Sequence, residues 1–155
     1  MPADELRLPL LDQLIDDDPG TREEAPPTAG QTYRQVIDAL KRDLLDLLNT
    51  RERCMSWPKN LKELDRSILS YGIPDITGAN LAAVKDRDAF LQSLAPVIRR
   101  GDPRYQSVRI VPAERSESTD RILRFRIEAV VRVESGTESV AFDLKLEPVT
   151  RLFES

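Results

Sequence analysis

Histidine is absent from this 155-residue chain, and cysteine occurs once, at Cys54. The first absence removes Ser-His-Asp and Cys-His nucleophilic arrangements and most zinc sites. The second rules out an internal disulfide, suits a reducing compartment, and leaves Cys54 to be read as a small apolar filler. Six glycines, at positions 20, 30, 72, 78, 101 and 136, match neither a phosphate-binding loop nor a dinucleotide fingerprint. There is no basic surplus: 23 Lys and Arg stand against 27 Asp and Glu, which weighs against electrostatic binding of nucleic acid. No run approaches the roughly 20 apolar residues of a membrane helix. The start of the chain carries Asp4 and Glu5, and its apolar cluster near Leu8 to Leu11 is shorter than a signal-peptide core. These absences predict a cytoplasmic protein with no cofactor, metal, nucleic acid or direct membrane insertion.

What is present is strongest between Arg121 and Pro148. Leu123, Phe125, Ile127, Ala129, Val131 and Val133 alternate with mostly charged residues, and the alternation resumes as Val140, Phe142, Leu144 and Leu146. Period-two patterning of this kind marks two strands, each with one buried face. The apolar parity changes between them, so the connection has an even number of residues, and a two-residue turn centred on Gly136-Thr137 fits. That turn pairs Val133 with Val140, Val131 with Phe142, Ala129 with Leu144 and Ile127 with Leu146. It also sets Glu128 opposite Lys145 and Arg126 opposite Glu147.

Upstream, Leu11, Leu14 and Ile15 have helical spacing over residues 9 to 16, and Asp16 to Gly30 has the proline, glycine and aspartate content of a solvated linker. Residues 1–30 therefore read as a tethered peptide that either folds back on its own domain or docks on a partner, and 31–155 as one domain. Thr32 and Gln35 fit a capping box ahead of a stripe of Val36, Ile37, Leu40, Leu44, Leu47 and Leu48. Leu61, Leu64, Ile68 and Tyr71 suggest a second helix ending at Gly72. A third, with Asn80 as its expected cap, carries Val84, Phe90, Leu91, Leu94, Val97 and Ile98, with a kink or break expected near Pro96. It ends through Arg99, Arg100, Gly101 and Pro103. Trp57 is expected to be partly buried. Helices first and strands last predict an α+β fold: an antiparallel sheet with a C-terminal hairpin, packed on one side by about three N-terminal helices.

Several segments resemble TssE, the small baseplate subunit of bacterial type VI secretion systems, a family similar to the wedge subunit of contractile-phage baseplates long labelled lysozyme-like. They are Leu10-Leu11-Asp12-Gln13-Leu14, the run from Arg42 through Leu47-Leu48-Asn49-Thr50-Arg51, the run Ser67 to Asp75 containing Tyr71-Gly72-Ile73-Pro74-Asp75, and the final strands. The family's Glu-Pro-Arg motif maps onto Asp102-Pro103-Arg104, with aspartate shorter by one methylene. The resemblance implies a structural role rather than an enzyme: joining the wedge subunits TssF, TssG and TssK and initiating assembly of the sheath proteins TssB and TssC. Asp102, Pro103 and Arg104 are then an assembly motif, or alternatively a simple helix stop. Strand addition offers a route to the sheath, with Val140, Phe142, Leu144 and Leu146 as the docking strand. Leu11, Leu14 and Ile15 form the candidate N-terminal docking element.

Two other classes compete. A peptidoglycan glycosidase needs two carboxyl groups about 5–9.5 Å apart across a sugar cleft. Among 27 acidic residues a pair carries no information, and one Trp, three Tyr and four Phe make no evident sugar platform. A generic cytoplasmic adaptor would share the fold without the baseplate.

Overall fold

The computed structural model describes residues 10–14, 20, 28–75, 83–113, 122–133, 136–147 and 150–155. Its helices are α1 (Leu10–Leu14), α2 (Ala29–Asn49) and α3 (Val84–Gly101). Its strands are β1 (Tyr105–Pro112), β2 (Leu123–Val133), β3 (Gly136–Leu146) and β4 (Phe153–Glu154), in the order β1-β2-β3-β4, all pairs antiparallel. This is the expected α+β architecture. The inward residues Phe125, Ile127, Ala129, Val131, Val140, Phe142, Leu144 and Leu146 share one core with Leu40, Leu44, Leu47 and Leu48 of α2 and Leu91, Leu94 and Ile98 of α3. The alternate residues Arg124, Arg126 and Glu128 are exposed, so the helices cover one face of the sheet.

The hairpin keeps its faces but not its expected register. Val133 pairs with Gly136, Ala129 with Val140, Ile127 with Phe142, Phe125 with Leu144 and Leu123 with Leu146. Each β2 residue thus meets a partner four positions earlier on β3 than the Gly136-Thr137 turn required. An even shift leaves every side chain on its original face, so hydrophobic patterning cannot distinguish the two registers. Ladder length can. In the expected register Phe125 would oppose Pro148, which has no amide to give the ladder. The observed one extends pairing through Leu123, and Phe153 of β4 meets Phe125 edge-to-face at a centroid distance of 6.1 Å. The charge pairs change accordingly: Arg126 makes a two-pronged bond to Asp143 (2.7 and 2.9 Å), and Lys145 meets Glu154 at 2.9 Å. Gly136 does have a positive φ, 137°, but as the first residue of β3.

Several helix boundaries also differ from the sequence reading. The capping box of α2 uses Thr28 and Gln31, four residues before Thr32 and Gln35; Gln31 N–H donates to Thr28 Oγ1 and Thr28 N–H to Gln31 Oε1. The same residue pattern occurs at both places, and the earlier one adds a turn to the helix. The segment from Leu61 to Tyr71 is not an α-helix but two 3₁₀ turns, Lys62–Arg66 and Ile68–Ser70. Ser67 divides them by accepting a bond from Leu69 N–H, and Ser70 Oγ donates to the carbonyls of Asp65 and Ser67. Such local side-chain bonds compete with the α-helical ladder. Ile68 is consequently 88% exposed. Helix α3 runs through Pro96 without ending there, and Asn80 lies outside the described residues.

Gly101 is not a left-handed helix stop. It lies within α3, and a Cβ there would fall 2.7 and 2.8 Å from the Leu47 methyl carbons, so α2 and α3 approach closely at this point and a side chain would require Leu47 to shift. Cys54 is exposed rather than a core filler. Trp57 is half-buried as expected, its indole N–H donating to Asp65 at 2.9 Å. Among the described residues no helix is long and apolar enough to cross a membrane.

Two of the segments singled out in the sequence meet at the far end of α2. Asn49 clamps β4 through both amide groups: its Nδ2 donates to Phe153 O (3.1 Å) and its Oδ1 accepts from Phe153 N–H (2.8 Å). Arg51 donates to Leu48 O and Arg151 O. Gly72, with φ at 107°, brings Ile73 alongside, where Ile73 N–H donates to Thr50 O and Glu52 N–H to Ile73 O. A Cβ on Gly72 would sit 2.7 Å from Thr50 O.

Candidate assembly site

The turn that joins α3 to β1 is built by Asp102-Pro103-Arg104. Asp102 closes α3 in an extended conformation, its N–H donating to Ile98 O at 3.0 Å, and Pro103 cannot continue the helix. The Asp102 carboxylate then reaches forward: Oδ1 accepts from Arg104 N–H (2.9 Å) and Nε (3.0 Å), while Oδ2 accepts from Nη2 (2.6 Å). An aspartate is short enough to accept this backbone bond two residues on, as in an Asx turn. The same Nη2 bonds Asp43 Oδ2 of α2 at 2.5 Å. Arg104 therefore has a local role that the sequence did not reveal, because Asp43 lies 61 residues away.

Charge of alternating sign continues from there. Asp43 Oδ1 lies 3.4 Å from Arg42, and Arg42 pairs in turn with Asp12 of α1. The series Asp12, Arg42, Asp43, Arg104, Asp102 thus ties the N-terminal helix to the end of α3. Burial alone would lower the Arg104 pKa, but the hydrogen bonds to Asp102 and Asp43 more than reverse it and raise it above the usual value. Arg104 stays charged at every accessible pH.

Next to this turn is a cavity of about 190 Å³ lined by Asp43, Leu44, Asp46, Leu47, Tyr71, Gly101, Asp102 and Tyr105. Tyr105 is buried and its hydroxyl donates to Leu40 O at 3.2 Å. Burial raises its pKa, Asp102 and Asp43 add to the rise, and Arg104 opposes it. Tyr71 is raised by burial and then by Asp46, Asp43 and Asp102. As for glycosidase geometry, the carboxylates of Asp43 and Asp102, which both line this cavity, converge on one guanidinium.

The other sequence-derived candidates lie elsewhere. Leu11 and Leu14 on α1 are 67% and 74% exposed, joined by Leu10 at 74%; Ile15 lies outside the described residues. The side chains of Val140, Phe142, Leu144 and Leu146 are all buried in the core, so at these four positions only the backbone of β3 is available to another chain. Its outer edge is partly occupied, since β4 pairs with Lys145 and Leu146. From Gly136 to Leu144, no strand among the described residues pairs with that edge. Glu147 N–H faces it, donating to Leu152 O at 3.1 Å. Backbone direction alternates along a strand, so Thr137, Ser139, Ala141 and Asp143 also turn their amides outward. Leu144, by the same alternation, directs its amide at β2.

A family model described as baseplate wedge protein gp25 matches residues 34–136. This span takes in α2 from Arg34 onward, α3, β1, β2 and the Asp102-Pro103-Arg104 turn. Comparison with curated proteins and with solved structures gives no significant match.

Proposed function

The chain belongs to the baseplate wedge protein gp25 family, and from that premise we propose that it is the TssE subunit of a type VI secretion baseplate. A structural role in a baseplate follows from the family itself. The finer reading has the chain hold the wedge subunits TssF, TssG and TssK together through the Asp102-Pro103-Arg104 turn and the leucines of α1. It then starts the sheath of TssB and TssC by strand addition along β3. The carrying observation is the β3 edge from Gly136 to Leu144, with which no strand among the described residues pairs, on a sheet that has one face buried by helices. Such an edge supplies backbone affinity without requiring any exposed apolar side chain.

The test is Ala141→Pro. Ala141 is exposed and its amide faces outward, so proline removes an edge donor and places its ring where an added strand would lie. Sheath assembly from TssB and TssC is expected to fail while the domain stays folded. Normal assembly on a folded Ala141→Pro protein would refute strand addition. Failure of the wild-type chain to co-purify with any wedge or sheath subunit would refute the baseplate assignment itself.

A further inference from the structure

The cavity beside the motif has walls of two kinds. Leu44, Leu47 and the tyrosines at 71 and 105 provide apolar surface, while Asp43, Asp46 and Asp102 provide negative charge. Arg104 bonds two of these carboxylates, and Arg42, the other cation near Asp43, is shared with Asp12. Asp46 makes no ion pair among the described residues; it lines the cavity from the last turn of α2 and is exposed. The lining therefore carries more negative than positive charge. Both tyrosines register that field, since nearby carboxylates hinder the ionisation of each.

An occupant suited to these walls has an apolar stem and a cationic head. A lysine or arginine side chain fits: its stem packs on the half-buried Tyr71 ring, its head meets carboxylate, and the face of that ring adds a cation–π contribution. A bare metal ion fits less well, because among the described residues no group of three or more His, Cys, Asp or Glu side chains is disposed to hold one.

We propose that this cavity is the socket for a lysine or arginine side chain of a partner wedge subunit, with Asp46 as the carboxylate that receives it. The inference rests on the baseplate reading, which supplies the partner. It adds a recognition element to the Asp102-Pro103-Arg104 turn, whose own charges are already satisfied internally.

The experiment measures binding of the full chain to the purified wedge subunits TssF and TssG for wild type, Asp46→Asn, Asp46→Lys and Arg104→Ala. A lysine in the last turn of a helix is compatible with the helix dipole, so thermal unfolding of Asp46→Lys should match wild type. The expected result is at least a tenfold loss of affinity for Asp46→Lys and a smaller loss for Asp46→Asn. Wild-type binding should also fall more steeply with salt than binding of Asp46→Asn. Full binding by folded Asp46→Lys overturns the socket, and if Arg104→Ala is then defective, the wedge contact lies at the turn alone. Absence of wild-type binding overturns the baseplate reading and the socket together.

Discussion

Arg104 Nη2 lies 2.5 Å from Asp43 Oδ2, so the turn after α3 is fastened to the C-terminal half of α2. The guanidinium is multiply bonded and partly buried, a setting in which charged hydrogen bonds contribute about 1.5–3 kcal/mol. Arg104→Ala should lower stability by roughly that amount. Lysine should restore less than half of the loss, because one ammonium cannot reproduce the planar fork that serves both carboxylates. Urea unfolding of the two variants checks this, and equal stability of Arg104→Lys and wild type would contradict it.

Gly72→Ala should be destabilising by at least about 2 kcal/mol. The added Cβ would meet the Thr50 carbonyl at 2.7 Å, and an L side chain is strained at a φ of 107°. The clash is with backbone, so no rotamer change relieves it. Thermal denaturation reads the effect.

Asn49→Ala should release β4. Two hydrogen bonds of about 0.5–1.5 kcal/mol each disappear, and the Phe153 amide loses its acceptor. Hydrogen exchange at Phe153 should rise well above the change at core amides such as Ile127. A uniform rise would mean that the clamp supports the whole domain rather than the C-terminal strand.

Stability should fall in alkali through Tyr105. Burial holds its folded pKa above the ordinary 10.0. A raised folded value means that its contribution is complete below about pH 10 and is lost as pH rises through the folded pKa. Tyr105→Phe should cost about 0.5–1.5 kcal/mol at neutral pH through the lost bond to Leu40 O. Between about pH 10 and 11, the wild type should lose roughly 1 kcal/mol more stability than this variant, the slope approaching about 1.4 kcal/mol per pH unit above that. Parallel decline would remove Tyr105 as the cause.

The contrast between what was legible in the sequence and what was not follows the range of the interactions. The faces of β2 and β3 and the core stripe of α2 depend on period alone, and each is where the residues place it. The hairpin register was not legible, since a four-residue slip preserves every face and the observed ladder is extended by the pairs of Leu123 and Phe125, far from the turn. The 3₁₀ turns were hidden because Leu61, Leu64, Ile68 and Tyr71 have helical spacing, while Ser67 and Ser70 divert the backbone. At the candidate site the turn Asp102-Pro103-Arg104 was visible, but not its partners. Asp43 and Asp46 sit one helical turn apart on the α2 face that meets the end of α3, and nothing local marks them from Asp38, the other aspartate of that helix.

The most direct test of the account is hydrogen exchange at the outward amides of Thr137, Ser139, Ala141 and Asp143, in the isolated chain and with assembled TssB and TssC. The account predicts rapid exchange alone and at least tenfold slowing in the complex, with little change at the inward amides of Val140 and Phe142. Unchanged exchange at the four outward amides in a complex that has formed would contradict it.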